Sequence, residues 1–305
     1  MKLTQFRDLL AVVETGSLRA ASRHLGIAQP VITRSIRELE RDLGTTLLER
    51  HSKGVALTPV GERFFARIQT IQAEVQRARA EVKQLGGDFS GEVSISLSPI
   101  TCMTLLPPAI SNFSKRFPNA VTKVTQNLFE AIEHELTDGL LDFWIGPIDQ
   151  SKVSQRFSVE LLLPHNRLIA ARKDHPLAQA RSFEELSGAS WVRPSLDDRS
   201  AYSDLEAEFL RLGLPSPHVS VQSPSMLVTI MTLSSTDLMT VLPDKMFELM
   251  PISQFCAPLE HIPPIPSDPI CLVHRQGLPL TPLAEKLSDL MRKAAHNYLL
   301  SGPPS

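Results

Sequence analysis

The chain opens on apolar residues at helical spacing. Phe6, Leu9, Leu10 and Val13 fall on one side of a helix predicted over 2–14. Gly16 ends that run, and the Ser17 hydroxyl is placed to cap a short Ala-rich helix over 18–25, closed in turn by Gly26. A further helix starts near Gln29, with Ile32, Ile36 and Leu39 as its inner stripe. Past Gly44 the segment TTLLERHSKGVALTP reads as a two-stranded wing turning at Gly54, with Leu47 and Leu48 inward. Thr58-Pro59 signals another helix start. Phe64, Ile68, Ile71, Val75, Ala78, Val82 and Leu85 then follow at spacings of 4, 3, 4, 3, 4 and 3, an unbroken heptad seam that stops at Gly86-Gly87. A helix from 58 to 86 is roughly 43 Å long at 1.5 Å per residue.

From Gly91 onward short apolar strands alternate with helices. Strands are predicted at 93–97, 121–124, 141–145, near 161, 167–171, 191–193, 219–222, 239–242 and 270–273, and helices at 101–117, 130–140 and 284–299. Proline-rich stretches at 258–269 and 301–305 read as a connection and a tail. Strand–helix alternation implies an α/β sheet with ligands at the carboxyl ends of its strands.

The long segment 29–41 is where polar residues carry information. Arg34, Arg37 and Arg41 share one outward face, and Gln29, Pro30 and Thr33 occupy the first turn. Proline is tolerated there because that N–H has no partner inside the helix. A solvated charged face, supported by Glu38 and Glu40, is the plain alternative. The short helix and the Gly26 break before it make the pair a helix-turn-helix, whose second helix enters the DNA major groove. Gln reads adenine bidentately, and Arg reads guanine or holds a phosphate. Arg50, Ser52 and Lys53 flank the wing turn, where contacts to backbone phosphates add affinity without sequence information. The heptad seam reads as a dimer interface, which sets two recognition helices on two-fold-related half-sites.

Composition sharpens this picture. The 305 residues suit two or three domains, with 42% hydrophobic and 21% charged residues. The net charge of −2 hides an uneven distribution: residues 1–90 hold 14 Lys+Arg against 10 Asp+Glu, and the remainder 17 against 23. A basic N-terminal unit on an acidic body suits local contact with DNA. Cys102, Cys256 and Cys271 form no CxxC and no even disulfide framework, which points to the reducing cytoplasm. The N-terminus carries charges through its apolar pattern, unlike a signal peptide, and no run of about 18 apolar residues suggests a membrane span. HExxH, Walker, GxSxG and Cys/His metal-ligand patterns are lacking, so neither an enzyme, a cofactor nor a metal site is expected. His165 and His175 flank Asp174 in a predicted strand and its loop. Cys102, near the start of a predicted helix, is the one candidate thiol sensor, since a helix N-terminus lowers a thiol pKa.

The run GSLRAASRHLGIAQPVITRSIRELERDLGTTLLER, followed by GVALTPVGE, closely resembles the N-terminal domain of LysR-type transcriptional regulators, over residues 16–50 and 54–62. Ala28 stands where Ser or Thr commonly caps the recognition helix, a cap weaker by roughly 1 kcal/mol. The resemblance implies base- and backbone-reading roles for Gln29, Pro30, Thr33 and Arg34, and a phosphate contact for Arg50. It implies a tetramer built of dimers on double-stranded promoter DNA, contact with RNA polymerase, and a small effector held between two α/β subdomains like those of periplasmic binding proteins. The expected organisation is therefore a winged helix-turn-helix domain at 1–58, a linker helix at 59–87, subdomain one at 91–162 plus 268–299, subdomain two at 163–267 and a tail at 300–305.

The family uses the position of Ser98 for effector contacts. With Pro99 and Thr101 it opens a helix whose free N–H groups favour a carboxylate or sulfonate. Gly146 and Pro147 follow the third strand of the same subdomain, and Arg193, Ser195 and Ser223 face them from the other. Ordinary helix capping, or a surface charge for Arg193, is the alternative for each. The family's Gly-x-Gly turn before Leu-Pro is replaced here by STDLMTVLP, with Asp237 in the turn. Two other classes stay open on residues alone. One is a ligand-binding or enzymatic α/β protein with a helical dimerisation arm, and the other is an architectural DNA-binding protein.

Overall fold

A computed structural model of the chain describes residues 1–51, 54–193, 203–248 and 250–301. The chain divides into two compact units, one of Met1–Phe89 with His134–Leu141 and one of Ser90–Glu133 with Asp142–Ser305.

The first unit consists of α1 (Leu3–Thr15), α2 (Leu18–Leu25), α3 (Gln29–Leu43), the hairpin β1 (Leu48–His51) and β2 (Gly54–Leu57), and α4 (Pro59–Leu85). Ser17 caps α2 by accepting from the Ala20 N–H, and Gly26 closes it in the left-handed region at φ 65°. Phe6, Leu9, Val12, Ala21, Ile32, Ile36, Leu39, Leu47 and Ile68 form one buried core. Glu40 is part of its frame, because its Oε1 accepts from the Leu47 N–H at 2.8 Å and the Leu48 N–H at 3.2 Å, tying α3 to β1. Thr58 caps α4 through the Gly61 N–H at 2.9 Å. A Cβ at Gly61 would lie 2.1 Å from the Leu47 carbonyl oxygen, so the first turn of α4 needs glycine to approach the wing.

In order, the second unit contains β3 (Gly91–Leu97), α5 (Pro99–Thr104), α6 (Leu106–Arg116), β4 (Ala120–Gln126), α7 (Phe129–Thr137), β5 (Phe143–Pro147), β6 (Phe157–Leu163), β7 (Asn166–Arg172), β8 (Ser190–Arg193), α8 (Ser203–Arg211), β9 (His218–Gln222), α9 (Met226–Ser235), β10 (Leu238–Pro243), α10 (Met250–Phe255), β11 (Cys256–Pro258), β12 (Ile265–Pro266), β13 (Ile270–Arg275) and α11 (Pro282–Ser301). One sheet runs β4-β3-β5-β13-β6. The other runs β11-β7-β10-β8-β9, with β12 also on β7. Within the first sheet β4, β3 and β5 are parallel, and β13 is antiparallel to both its neighbours. In the second, β10, β8 and β9 are parallel and β7 antiparallel to β10. The core of the second sheet gathers Ile169, Trp191, Phe209, Met239 and Ile265.

Three expectations are corrected. The helix expected over 101–117 is two helices broken at Leu105, because Pro107 and Pro108 lack amide donors and are accommodated only in the first turn of a new helix. The proline-rich connection at 258–269 contributes two short strands, both on β7, at a sheet edge where a missing donor costs no ladder bond. Gly146 and Pro147 lie inside β5 instead of after it. The first crossing between the sheets comes after Leu163, which still pairs with Ile270, and the return lies between Pro266 and Ile270.

Candidate nucleic-acid interface and the strand ends of the second unit

α3 buries Ile32, Ile36 and Leu39, and the helical period turns its polar residues outward. Gln29, Pro30, Thr33, Arg34, Arg37, Glu38 and Arg41 line one open depression along that outer face. Ala28 provides no side-chain cap; Pro30 has no N–H to satisfy, and the Val31 N–H donates to the Ala28 carbonyl at 2.9 Å. The Thr33 hydroxyl donates to the Gln29 carbonyl at 3.0 Å. Arg34 Nε donates to Glu38 Oε1 at 2.8 Å, an exposed pair in which the hydrogen bond raises the guanidinium pKa and lowers that of the carboxyl. Arg37 and Arg41 are exposed. Arg50 lies in β1 opposite Val55. Ser52 and Lys53 lie outside the described residues.

The heptad row of α4 divides between two environments. Ile68 is fully buried in the core of the first unit, and Phe64 stacks edge-on to Phe6 at 6.0 Å. Val75 is half-buried, whereas Ile71, Ala78, Val82 and Leu85 are exposed, Val82 and Leu85 at 72% and 74%. The available apolar row therefore begins at Ile71, one heptad later than the spacing alone suggests.

At the carboxyl end of the first sheet, Ser98, Thr101 and Gly146 are brought together and buried. Thr101 is the third residue of α5. Its hydroxyl donates to the carbonyls of Ser98 at 3.0 Å and Ile145 at 2.9 Å, and Ser98 Oγ lies 3.1 Å from it. A Cβ on Gly146 would meet the Trp144 ring at 2.4 Å and Ser98 Cβ at 2.8 Å. These three therefore hold β5 against α5, with half-buried Pro99 and Pro147 beside them. On the second sheet, the Ser223 N–H donates to the Arg193 carbonyl at 3.0 Å, joining the ends of β8 and β9. Arg193 Nη2 pairs with Glu206 of α8 at 2.5 Å. Ser195 lies outside the described residues.

The candidate thiol sensor is disfavoured: burial pushes the Cys102 thiol up to about 11, because desolvation opposes the thiolate. His175 holds a turn, with its Nδ1 accepting from the Leu177 N–H at 2.9 Å and its Nε2 3.1 Å from the Asp237 carbonyl. Arg167, and the burial of His165 beside it where the chain crosses between sheets, are what the motifs did not single out. Their signal was a polar pair on the inward phase of a strand. Among the described residues no His, Cys, Asp or Glu group is arranged to hold a metal, and no helix is long and apolar enough to cross a membrane.

Two family models match the chain. The bacterial regulatory helix-turn-helix protein, lysR family, covers residues 3–62, and the LysR substrate binding domain covers residues 86–296. The probable nitrogen assimilation transcriptional activator of Synechococcus elongatus is 31% identical over 217 residues, 70% of each chain. The HTH-type transcriptional regulator TdcA of Escherichia coli is 26% identical over 255 residues, 83% of this chain and 81% of the relative. Among solved structures, full-length CbnR in complex with its target DNA superposes with a TM-score of 0.70 at 18% identity, over 96% of this chain and all of that one. With a helix-turn-helix presenting Gln29 and three arginines, and a two-sheet unit following it in sequence, the chain belongs to the LysR family and is a DNA-binding transcriptional regulator.

Proposed function

We propose that the protein acts as a paired, effector-controlled regulator of promoters in the cytoplasm. Two copies join along Ile71, Val75, Ala78, Val82 and Leu85 of α4. They set two α3 helices on related half-sites of duplex DNA, and two such pairs form a tetramer. Gln29, Pro30, Thr33 and Arg34 face base edges and the nearby backbone, while Arg37, Arg50, Ser52 and Lys53 meet phosphates. A small anionic effector, a carboxylate, sulfonate or aromatic acid, binds between the two sheets of the second unit. It has regulatory effect only through unequal affinity for two arrangements of the assembly, changing half-site engagement and contact with RNA polymerase.

The observation that carries the effector reading is the convergence of strand ends. The pairings of Ile270 with Pro147 and of Arg167 with Pro243 place both crossings at the carboxyl ends of the parallel strands, beside the cations Arg167 and Arg193. Ligands of open α/β sheets bind at such ends. The experiment is a thermal-shift screen of the full chain against small carboxylates and sulfonates, followed by footprinting on the promoter. An effector at 100 times its Kd adds roughly 2.7 kcal/mol. Stabilisation by an anion that also alters the footprint is expected. Stabilisation only by neutral ligands sinks the anionic reading.

A further inference from the structure

The outer face of α3 carries one anion among its cations. Arg34, Glu38 and Arg41 fall in one narrow row of the helix, and Arg37 lies beside them. All four line the open depression with Gln29 and Thr33. Among the described residues, Arg34 is the arginine of this face that is held. Its Nε donates to Glu38 Oε1 at 2.8 Å. The side chains of Arg37 and Arg41 make no hydrogen bond or ion pair among the described residues.

Two features set the Arg34–Glu38 pair apart from ordinary helix support. Its order is reversed, because an acidic residue four positions before a basic one supports a helix better than one four positions after it. Its contact is also made at Nε alone. On α8 the pair of Glu208 and Arg211 closes side-on, with Nε and Nη2 both bound to the carboxylate. At Arg34 the carboxylate takes Nε and leaves the terminal fork of the guanidinium unengaged. The Arg34 side chain is 83% exposed and that of Glu38 33%, so the fork stands in solvent on an anchored stem. Helical side chains lean toward the N-terminus, which lays Glu38 over the turn that carries Arg34.

A carboxylate on a face that meets a polyanion weakens binding to every sequence. Glu38 keeps its charge: the hydrogen bond from Arg34 chiefly, then the cations of Arg34, Arg41 and Lys2, outweigh desolvation and hold its carboxyl below the usual range. Specificity is a difference of affinities, and a residue that weakens all binding contributes by weakening the wrong contacts more. An arginine on DNA has two uses, a phosphate at any sequence or the edge of a guanine. Its flexible stem permits either one.

We propose that Glu38 is a positioning residue of the DNA interface. It holds Arg34 at Nε, presents the terminal fork end-on to the O6 and N7 of a guanine, and withholds the guanidinium from phosphates. The proposal rests on the base-reading role given to Arg34 above and adds the residue that sets its aim.

The test measures binding of the full chain by fluorescence anisotropy over a salt series. One duplex is enriched by the wild-type chain from a pool of random sequences, and the other is a scrambled duplex of the same composition. Glu38→Ala is expected to lower the ratio of the two affinities about fivefold or more, the worth of one bidentate arginine contact. On the scrambled duplex the slope of log affinity against log salt should steepen by about 0.9 for each chain bound, as the released Arg34 takes a phosphate. Arg34→Ala should lower the ratio as far, and adding Glu38→Ala to it should lower the ratio no further. Glu38→Gln, whose amide oxygen still accepts from the Nε–H, should keep most of the wild-type ratio. Both side chains lie outside the buried core, where substitutions leave the fold intact. A wild-type ratio in Glu38→Ala beside a reduced one in Arg34→Ala overturns the inference and leaves Arg34 a base reader. A further loss in the double variant also overturns it, since Glu38 would then meet the DNA itself. So does a Glu38→Gln ratio as low as that of Glu38→Ala, which would make charge and not orientation the cause. Wild-type discrimination in Arg34→Ala overturns both the inference and the reading on which it rests.

Discussion

At the scale of single residues, neighbours decide what a side chain does more than its chemical type. Gln29 lies exposed in the first turn of α3. Its amide can therefore meet a base edge with a donor and an acceptor at once. Gln29→Ala is expected to lose about 1–3 kcal/mol of discrimination at one base pair. Binding measured on matched and singly substituted half-sites tests this, and an equal loss on every sequence would show a mere backbone contact. Cys102 teaches the converse. It sits in the first turns of α5, yet burial raises its thiol to about 11 against an ordinary 9.0. The thiolate fraction at pH 7.4 is then about a hundredfold below that of a free thiol, since each pKa unit is tenfold. Iodoacetamide labelling of Cys102, followed by mass spectrometry, should be slow at neutral pH and accelerate through pH 10. Labelling at the rate of free cysteine would contradict the burial. Thr101 makes the same point for a hydroxyl, since its two carbonyl partners belong to the fold.

At the scale of elements, one apolar row on α4 meets two environments. Heptad spacing reveals that the row exists and cannot say which partner each turn meets. Ile68 packs into its own unit's core, whereas Val82 and Leu85 are exposed. Ile68→Ala should therefore cost about 2–5 kcal/mol of stability, the price of a core cavity. Val82→Ala should stay within about 0.5 kcal/mol in the unfolding of a single chain while weakening association. Thermal melts paired with sedimentation equilibrium separate the two, and a large melt shift for Val82→Ala would place that residue in a core. Most of this architecture was legible beforehand. The helix starts at Ser17 and Thr58, the break at Gly26 and the alternating strands of the body are local signals, and the residues that carry them need no distant partner. The break at Leu105 was equally local, announced by Pro107 and Pro108, but helical periodicity across it masked the prolines. β11 and β12 were not legible, because a two- or three-residue strand containing proline exists only by virtue of the neighbour it pairs with. The same holds for the Ser98–Thr101–Gly146 cluster and for His165. Their neighbours lie dozens of residues away in sequence, and burial of a polar side chain is a property of the folded sheet.

At the scale of the whole molecule, the uneven charge and the exposed row on α4 belong to one design. Residues 1–90 carry the positive excess, and the negative excess lies in the body. DNA affinity then comes from local cations, and an acidic body discourages general adhesion. A single copy of α3 with its wing offers few phosphate contacts, and non-specific binding at physiological salt is correspondingly weak. Pairing two copies doubles the contacts and converts the second half-site into an intramolecular encounter. The double variant Val82→Asp, Leu85→Asp places charges on the most exposed part of the row without touching α3, the wing or the buried core. It is expected to sediment as a species with half the wild-type number of copies or fewer. Its affinity for a two-half-site duplex should fall to that for a single half-site. Each phosphate contact contributes about −0.9 to the slope of log affinity against log salt, so the slope should fall to about half. Fluorescence anisotropy over a salt series measures slope and affinity together. A dissociated variant that keeps both at wild-type values would mean that one chain carries the whole DNA interface, and the role assigned to the α4 row would have to be abandoned.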